Sequence, residues 1–253
     1  YLEQISGASF KIGPADGGKC IVLKSQTTGN TRNKPALDGY KIHTEGPRIL
    51  ITAENPRAVL YGTYAFLRNL GCEWIAPDLS FFAGRHESIP SVDKLVYSGA
   101  VLESKADLKY RKIYVEEGRS HNLGNLAKII DWMGKSGMNT FVCPMDYQGQ
   151  NRVVWDDWRE AITPELKKRG IAAEIGGHGY QNFLKPSELF DKHPEWFAKD
   201  KQGNRTDNIH WVFCTSNDQA MARFHKNLIA YLSDHPEIDI FDLWPPDGAR
   251  WCT

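Results

Sequence analysis

Apolar positions along the chain fall into two rhythms. Up to about residue 100, short runs rich in β-branched residues alternate with one strongly periodic segment. The runs "KCIVLK" and "RILITA", bounded by Gly, Pro and Asn, predict strands. "ENPRAVLYGTYAFLRNLGCEW" predicts a helix. Asn55 is its N-cap, Pro56 its first residue and Gly71 its left-handed stop, with Ala58, Leu60, Tyr61, Tyr64, Ala65 and Leu67 at helical spacing. "YLEQISGASF" reads as the last turns of another helix. "SIPSVDKLVYSGAVLESKADL" reads as a linker to the next region.

From Leu108 onward the pattern becomes strand, helix, strand, helix. Strands are predicted in "KYRKIYV", "MNTFVCPM", "IAAEIGGHG" and "DIFDLWPPDG". Between them lie "NLGNLAKIIDWMGKSG", closed by Gly137, "WDDWREAITPELKKRG", kinked or restarted at Pro164, and "DQAMARFHKNLIAYLSDHP". Such alternation implies a parallel sheet with right-handed crossovers. A complete eight-stranded barrel takes about 250 residues, whereas this stretch carries four strands. No Gly-rich phosphate loop follows the first strand, as an open nucleotide-binding sheet would usually have. The expected fold is therefore α/β: a small N-terminal α/β domain over residues 1–100, then the first half of a (β/α)8 TIM-type barrel over residues 101–253. Both ends read as cut, and the missing partner is the second half of the chain's own barrel.

Composition narrows the function. Lys plus Arg and Asp plus Glu balance at 31 each, which gives no electrostatic reason to expect a nucleic-acid partner. No apolar run approaches the roughly 20 residues of a membrane-spanning helix. The five cysteines are far apart, without a C-x-x-C pair, and mostly in apolar strand-like settings such as "TFVCPM" and "WVFCTS". They read as buried free thiols, with neither a zinc site nor a dense disulfide framework. Neither a metal nor an organic cofactor is expected. The eight tryptophans suit sugar stacking and core packing equally.

In a barrel, function collects where the strands end. The four predicted tips carry Glu116 and Glu117, then Asp146, then His178 between glycines, then Asp247 beside Trp244. Each has two readings. The glutamates are a site pair or a solvated loop pair, and Asp146 is a site carboxylate or a turn cap. His178 is a ligand contact or a satisfied core histidine. Asp247 is an acid with a raised pKa or an Asx-turn residue. Glycoside hydrolysis needs two carboxyl groups across the scissile bond, or one acid plus a group orienting the substrate's own acetamide. Asp247 is the candidate catalytic residue. Its mate is Asp146, Glu116 or a residue beyond 253.

"GGHGYQNFLKPSELFDKHPEWFAKDKQGNR" and "FCTSNDQAMARFHKNLIAYLSDHPEIDIFDLWPPDGARWC" resemble a family long catalogued as a domain of unknown function, which includes glycoside hydrolase family 163. Gly176, Gly177, His178, the stretch from His193 to Ala198, Cys214 to Asn217, and Asp247–Gly248 carry the likeness in order. "YLEQISGA" and "RAVLYGTYAFLRNLGCEWIAPD" resemble the small domain that precedes the barrel in α-glucuronidases and family 20 hexosaminidases. The resemblance implies an exported bacterial enzyme, secreted, periplasmic or at the cell surface. It would act on β-linked N-acetylglucosamine in an oligosaccharide or glycoprotein glycan, such as an N-glycan core, by substrate-assisted retention. The expected substrate-binding residues are His178, Glu116, Asp146 and Trp244, from their places at the strand tips, together with Asn217 and Arg111, from the resemblance. Arg111 resembles the hydroxyl-binding arginine of hexosaminidase barrels, and a structural salt bridge is the equal alternative. An α-glucuronidase-like exo-glycosidase and a non-catalytic carbohydrate-binding barrel remain the competing functions.

Overall fold

The computed structural model describes residues 1–14, 18–29, 34–114, 122–145, 153–208 and 212–246. The chain divides into two compact units. One comprises Tyr1–Ile113, Arg119–Thr140 and Pro164–Ala172, the other Tyr114–Gly118, Phe141–Thr163 and Ala173–Thr253. The protein is mixed α/β.

The first unit opens with a short helix α1 (Leu2–Ser6), closed by Gly7 in the left-handed region at φ 68°. Strands β1 (Cys20–Ser25), β2 (Tyr40–Glu45) and β3 (Arg48–Ala53) follow, then helix α2 (Pro56–Asn69). The Asn55 side chain accepts from the Ala58 amide, as the sequence predicts, and satisfies one orphan donor of the first turn. Two strand pairs complete the sheet elements: β4 (Glu73–Trp74) with β5 (Glu87–Ser88), and β6 (Leu102–Ser104) with β2. Sheet order is β1-β3-β2-β6, parallel between β1 and β3 and antiparallel elsewhere. Residues 102–104 therefore form an edge strand inside the segment expected to be a linker. Three residues are too few to show a period of two, so pattern alone does not find them.

Ile42, Ile51 and Phe66 form one buried cluster where α2 meets this sheet. Gly62 permits the approach, since a Cβ there would stand 2.8 Å from Ile51 Cγ2. A second cluster gathers Ile5, Leu67, Cys72 and Trp74. Asp38 is the polar centre of the unit. Its carboxylate accepts from Asn55 Nδ2 (3.0 Å), from Arg57 Nε (3.1 Å) and Nη2 (2.9 Å), and from Arg111 Nη2 (2.5 Å).

The remaining elements are β7 (Lys112–Tyr114), helix α3 (Leu123–Lys135), β8 (Thr140–Pro144), helix α4 (Trp155–Arg169) and β9 (Ala172–His178). After them come short helices α5 (Tyr180–Phe183) and α6 (Pro186–Leu189), a 3-10 turn at Pro194–Trp196, helix α7 (Asp218–Asp234) and β10 (Ile240–Trp244). The order β10-β9-β8-β7 places consecutive strands side by side, with β10 and β9 parallel. Helix α4 passes through Pro164 without interruption. A proline removes one backbone donor, and the fully buried Ile162 and Leu166 on either side anchor the helix regardless.

Among the described residues no helix is long and apolar enough to cross a membrane.

Candidate functional site

Strand β9 reads "AAEIGGH", and its two glycines, together with Gly179 just beyond it, each answer a specific crowding. A Cβ on Gly176 would lie 3.0 Å from the Asp242 carbonyl oxygen and 3.1 Å from Asp242 Cβ. Gly177 has φ 110°, where side chains are strained, and a Cβ there would meet the Tyr114 hydroxyl at 3.0 Å. At Gly179 a Cβ would fall 2.2 Å from Met145 Sδ. The "GGHG" sequence thus lets three neighbouring side chains close over one strand end.

His178 stands at that end. Its Nδ1 lies 2.6 Å from the Pro245 carbonyl. A carbonyl only accepts, so Nδ1 is the donor in this bond. The register pairs Trp244 with His178. Their rings meet edge to face at 5.6 Å, and Tyr114 tilts against the same indole at 5.8 Å. Trp244 remains 38% exposed, an apolar platform open to solvent. That combination, an accessible indole flanked by two hydrogen-bonding rings, suits the C–H face of a sugar.

Asp242 shares this face, because β10 alternates and Asp242 pairs with Gly176 two positions before Trp244. The strand-tip pattern does not single it out, because it lies two residues before Trp244. The signal was present in "DIFDLW": an aspartate between apolar neighbours, at the same parity as the tip tryptophan. Beyond the tip, Asn182 on α5 has both carboxamide atoms buried without a hydrogen-bond partner among the described residues. Its Nδ2 would sit 3.2 Å from a Cβ on Gly179.

The other expected site residues are distributed as follows. Asn217 uses its side-chain oxygen to cap α7, accepting from the Gln219 and Ala220 amides at 3.1 and 3.0 Å. Arg111 belongs to the first unit. There it donates to Asp38 and to the carbonyls of Gly137, Ala36 and Leu108, and covers the Tyr61 ring at 5.7 Å. Burial pushes the Tyr61 phenol well above its usual range, and its hydroxyl donates to the Met138 carbonyl at 2.7 Å. Glu116, Asp146 and Asp247 lie outside the described residues. Of the expected set, the structure brings together His178 and Trp244.

The cysteines depart in part from the expectation of free thiols. Cys20, Cys72 and Cys143 are free, and burial raises the thiols of Cys72 and Cys143. Cys214 is disulfide-bonded. Its run of apolar neighbours hides the pairing, because sequence spacing does not report which cysteines meet in space.

Residues 81–253 match the family described as "Domain of unknown function (DUF4838)". The chain belongs to this family. No curated protein matches it. Among solved structures, it is similar to a GH20 chitobiase of Flavobacterium johnsoniae, with 15% identity and a TM-score of 0.53, over 94% of this chain and 36% of that one. It is also similar to a GH138 enzyme targeting pectin rhamnogalacturonan II, with 12% identity and a TM-score of 0.50, over 92% of this chain and 27% of that one. A β-N-acetylhexosaminidase from Bacteroides fragilis matches at 15% identity and a TM-score of 0.47, over 85% of this chain and 42% of that one. The first two show a glycosidase-like fold. The chain spans well under half the length of each of these structures.

Proposed function

We propose that this chain forms part of a glycoside hydrolase acting on β-linked N-acetylglucosamine-containing glycans such as N-glycan cores. The observation that carries it is the exposed Trp244 against His178 at the ends of two parallel strands, within a glycosidase-like fold. In this reading residues 101–253 supply the first half of a (β/α)8 barrel, with residues 1–100 as the small preceding domain. Trp244 stacks on a sugar ring, with the His178 ring, held by the Pro245 carbonyl, at its side. Asp247, three residues after Trp244, is the candidate for acid–base work or for orienting the substrate acetamide. Glu116 and Asp146 are candidates for the second group. The resemblance to glycoside hydrolase family 163 supports substrate-assisted retention, in which the acetamide attacks the anomeric carbon as the acid protonates the leaving oxygen.

An exported location fits the Cys214 disulfide, since such bonds persist mainly in oxidising compartments.

The test uses the protein at its natural length with an N-glycoprotein, released glycans being read by mass spectrometry. Glycans lacking one core N-acetylglucosamine, absent with Asp247→Asn, are the expected result. If no β-linked N-acetylglucosamine substrate is cleaved by the folded wild type, a uronic-acid substrate or a binding protein replaces this reading.

A further inference from the structure

Carboxylates in the second unit mostly have partners. Asp239 accepts from the Ala173 amide at 2.9 Å, and Glu237 from the Trp155 indole at 3.0 Å. Asp156 takes the Tyr231 hydroxyl at 2.8 Å and faces His235 Nε2 at 3.1 Å. Glu174, buried on β9, is engaged as well. Asp242 differs: its carboxylate has no hydrogen-bond or ion-pair partner among the described residues, although it is partly buried in the middle of a strand. Aspartate is poorly suited to strands, and a half-desolvated carboxylate without donors is unfavourable. Nothing in the packing calls for it, because the opposite face of β10 is the apolar one, where Phe241 meets Phe183 at 5.9 Å.

The surroundings of Asp242 keep it available. On the neighbouring strand its register partner is Gly176, which places no side chain of its own beside the carboxylate. Along its own strand, Trp244 is the next residue on the same face, with His178 across from it. A pyranose ring lying on an indole directs its hydroxyls outward in the ring plane. A carboxylate at the edge of that platform offers two acceptor oxygens for them, and charge-assisted bonds of this kind are the stronger ones.

We propose that Asp242 is a substrate-binding residue that accepts hydrogen bonds from ring hydroxyls of the sugar stacked on Trp244. This rests on the glycan-active reading above and adds to it the acceptor that selects the sugar's hydroxyl pattern. Asp242→Asn keeps the shape and replaces one acceptor oxygen with a donor, while Asp242→Ser shortens the side chain so that it no longer reaches.

The experiment measures binding of N,N′-diacetylchitobiose to the natural-length protein by calorimetry, with melting temperature as the control for folding. Wild type, Asp242→Asn, Asp242→Ser and Trp244→Ala are compared. Affinity weakened about ten- to a hundred-fold in both Asp242 variants, at unchanged melting temperature, is expected from the loss of one or two charge-assisted hydrogen bonds. Affinity within about twofold of wild type in either folded Asp242 variant, while Trp244→Ala loses binding, overturns the role of Asp242 and leaves the glycan site standing. Absence of binding by wild type itself overturns both.

Discussion

The rings of His178 and Trp244 meet edge to face, 5.6 Å apart, at the ends of neighbouring parallel strands. Two backbone facts hold them there. Pro245, directly after Trp244, offers its carbonyl to His178 Nδ1, and Gly179, directly after His178, donates its amide to the Trp244 carbonyl at 3.3 Å. Pro245 thus fixes the His178 ring, and Gly179 ties the two strand ends together, before any ligand arrives. Such preorganisation lowers the ordering cost of binding.

Gly177→Ala tests whether that strand end is under steric constraint. A φ of 110° and the Tyr114 hydroxyl 3.0 Å from the new methyl both oppose the substitution. A loss of about 1–3 kcal/mol in unfolding free energy is expected, from strain at a left-handed position. Urea denaturation measures it. A variant as stable as wild type would show that Tyr114 and the backbone yield freely.

Asp38→Ala removes the carboxylate shared by Arg57 and Arg111. Asp38 and Arg57 side chains are both fully buried, so the guanidinium is left without its counter-charge. Losing one partner of a buried pair costs about 3–5 kcal/mol. Chemical denaturation should show a loss of that order, whereas a change below about 1 kcal/mol would mean that the other contacts of Arg57 suffice to hold its charge.

Acid should weaken the first unit through Asp131. Burial pushes its carboxyl up, but hydrogen bonds from Lys135 and Arg169 outweigh that and hold it below the usual range. A lowered folded-state pKa contributes stability above the unfolded value of about 3.9, lost as pH falls through the folded value. The melting temperature of wild type should therefore drop more steeply below about pH 4 than that of Asp131→Asn. Parallel curves would contradict this.

Thiol counting separates the cysteines. Cys20, Cys72 and Cys143 are free and Cys214 is disulfide-bonded, among five in all. Alkylation of unfolded, unreduced protein should label three thiols, rising to five after reduction. Five labels without reductant would remove the support for export.

Much of the local structure was legible in the sequence because it depends on near neighbours. Asn55 before Pro56, and Gly71 after Asn69, set the limits of α2 through capping and left-handed backbone. What was hidden depends on pairing across the chain. Asp242 becomes a site candidate only when the register sets it beside Gly176 and beneath the His178–Trp244 pair. Arg111 and Asp38 are 73 positions apart, and nothing local to either shows that they form one ion pair. The Cys214 disulfide and the edge strand at residues 102–104 were missed for the same reason.

The most direct measurement is hydrolysis of a β-linked N-acetylglucosamine glycan by the natural-length protein, wild type against Trp244→Ala, with melting temperatures recorded for both. Cleavage by wild type, and a fall of about a hundredfold or more in kcat/KM for an equally stable Trp244→Ala, equivalent to roughly 2.7 kcal/mol of transition-state stabilisation, is the expected result. Equal rates in the two proteins would show that the strand-end pair is not where the sugar reacts.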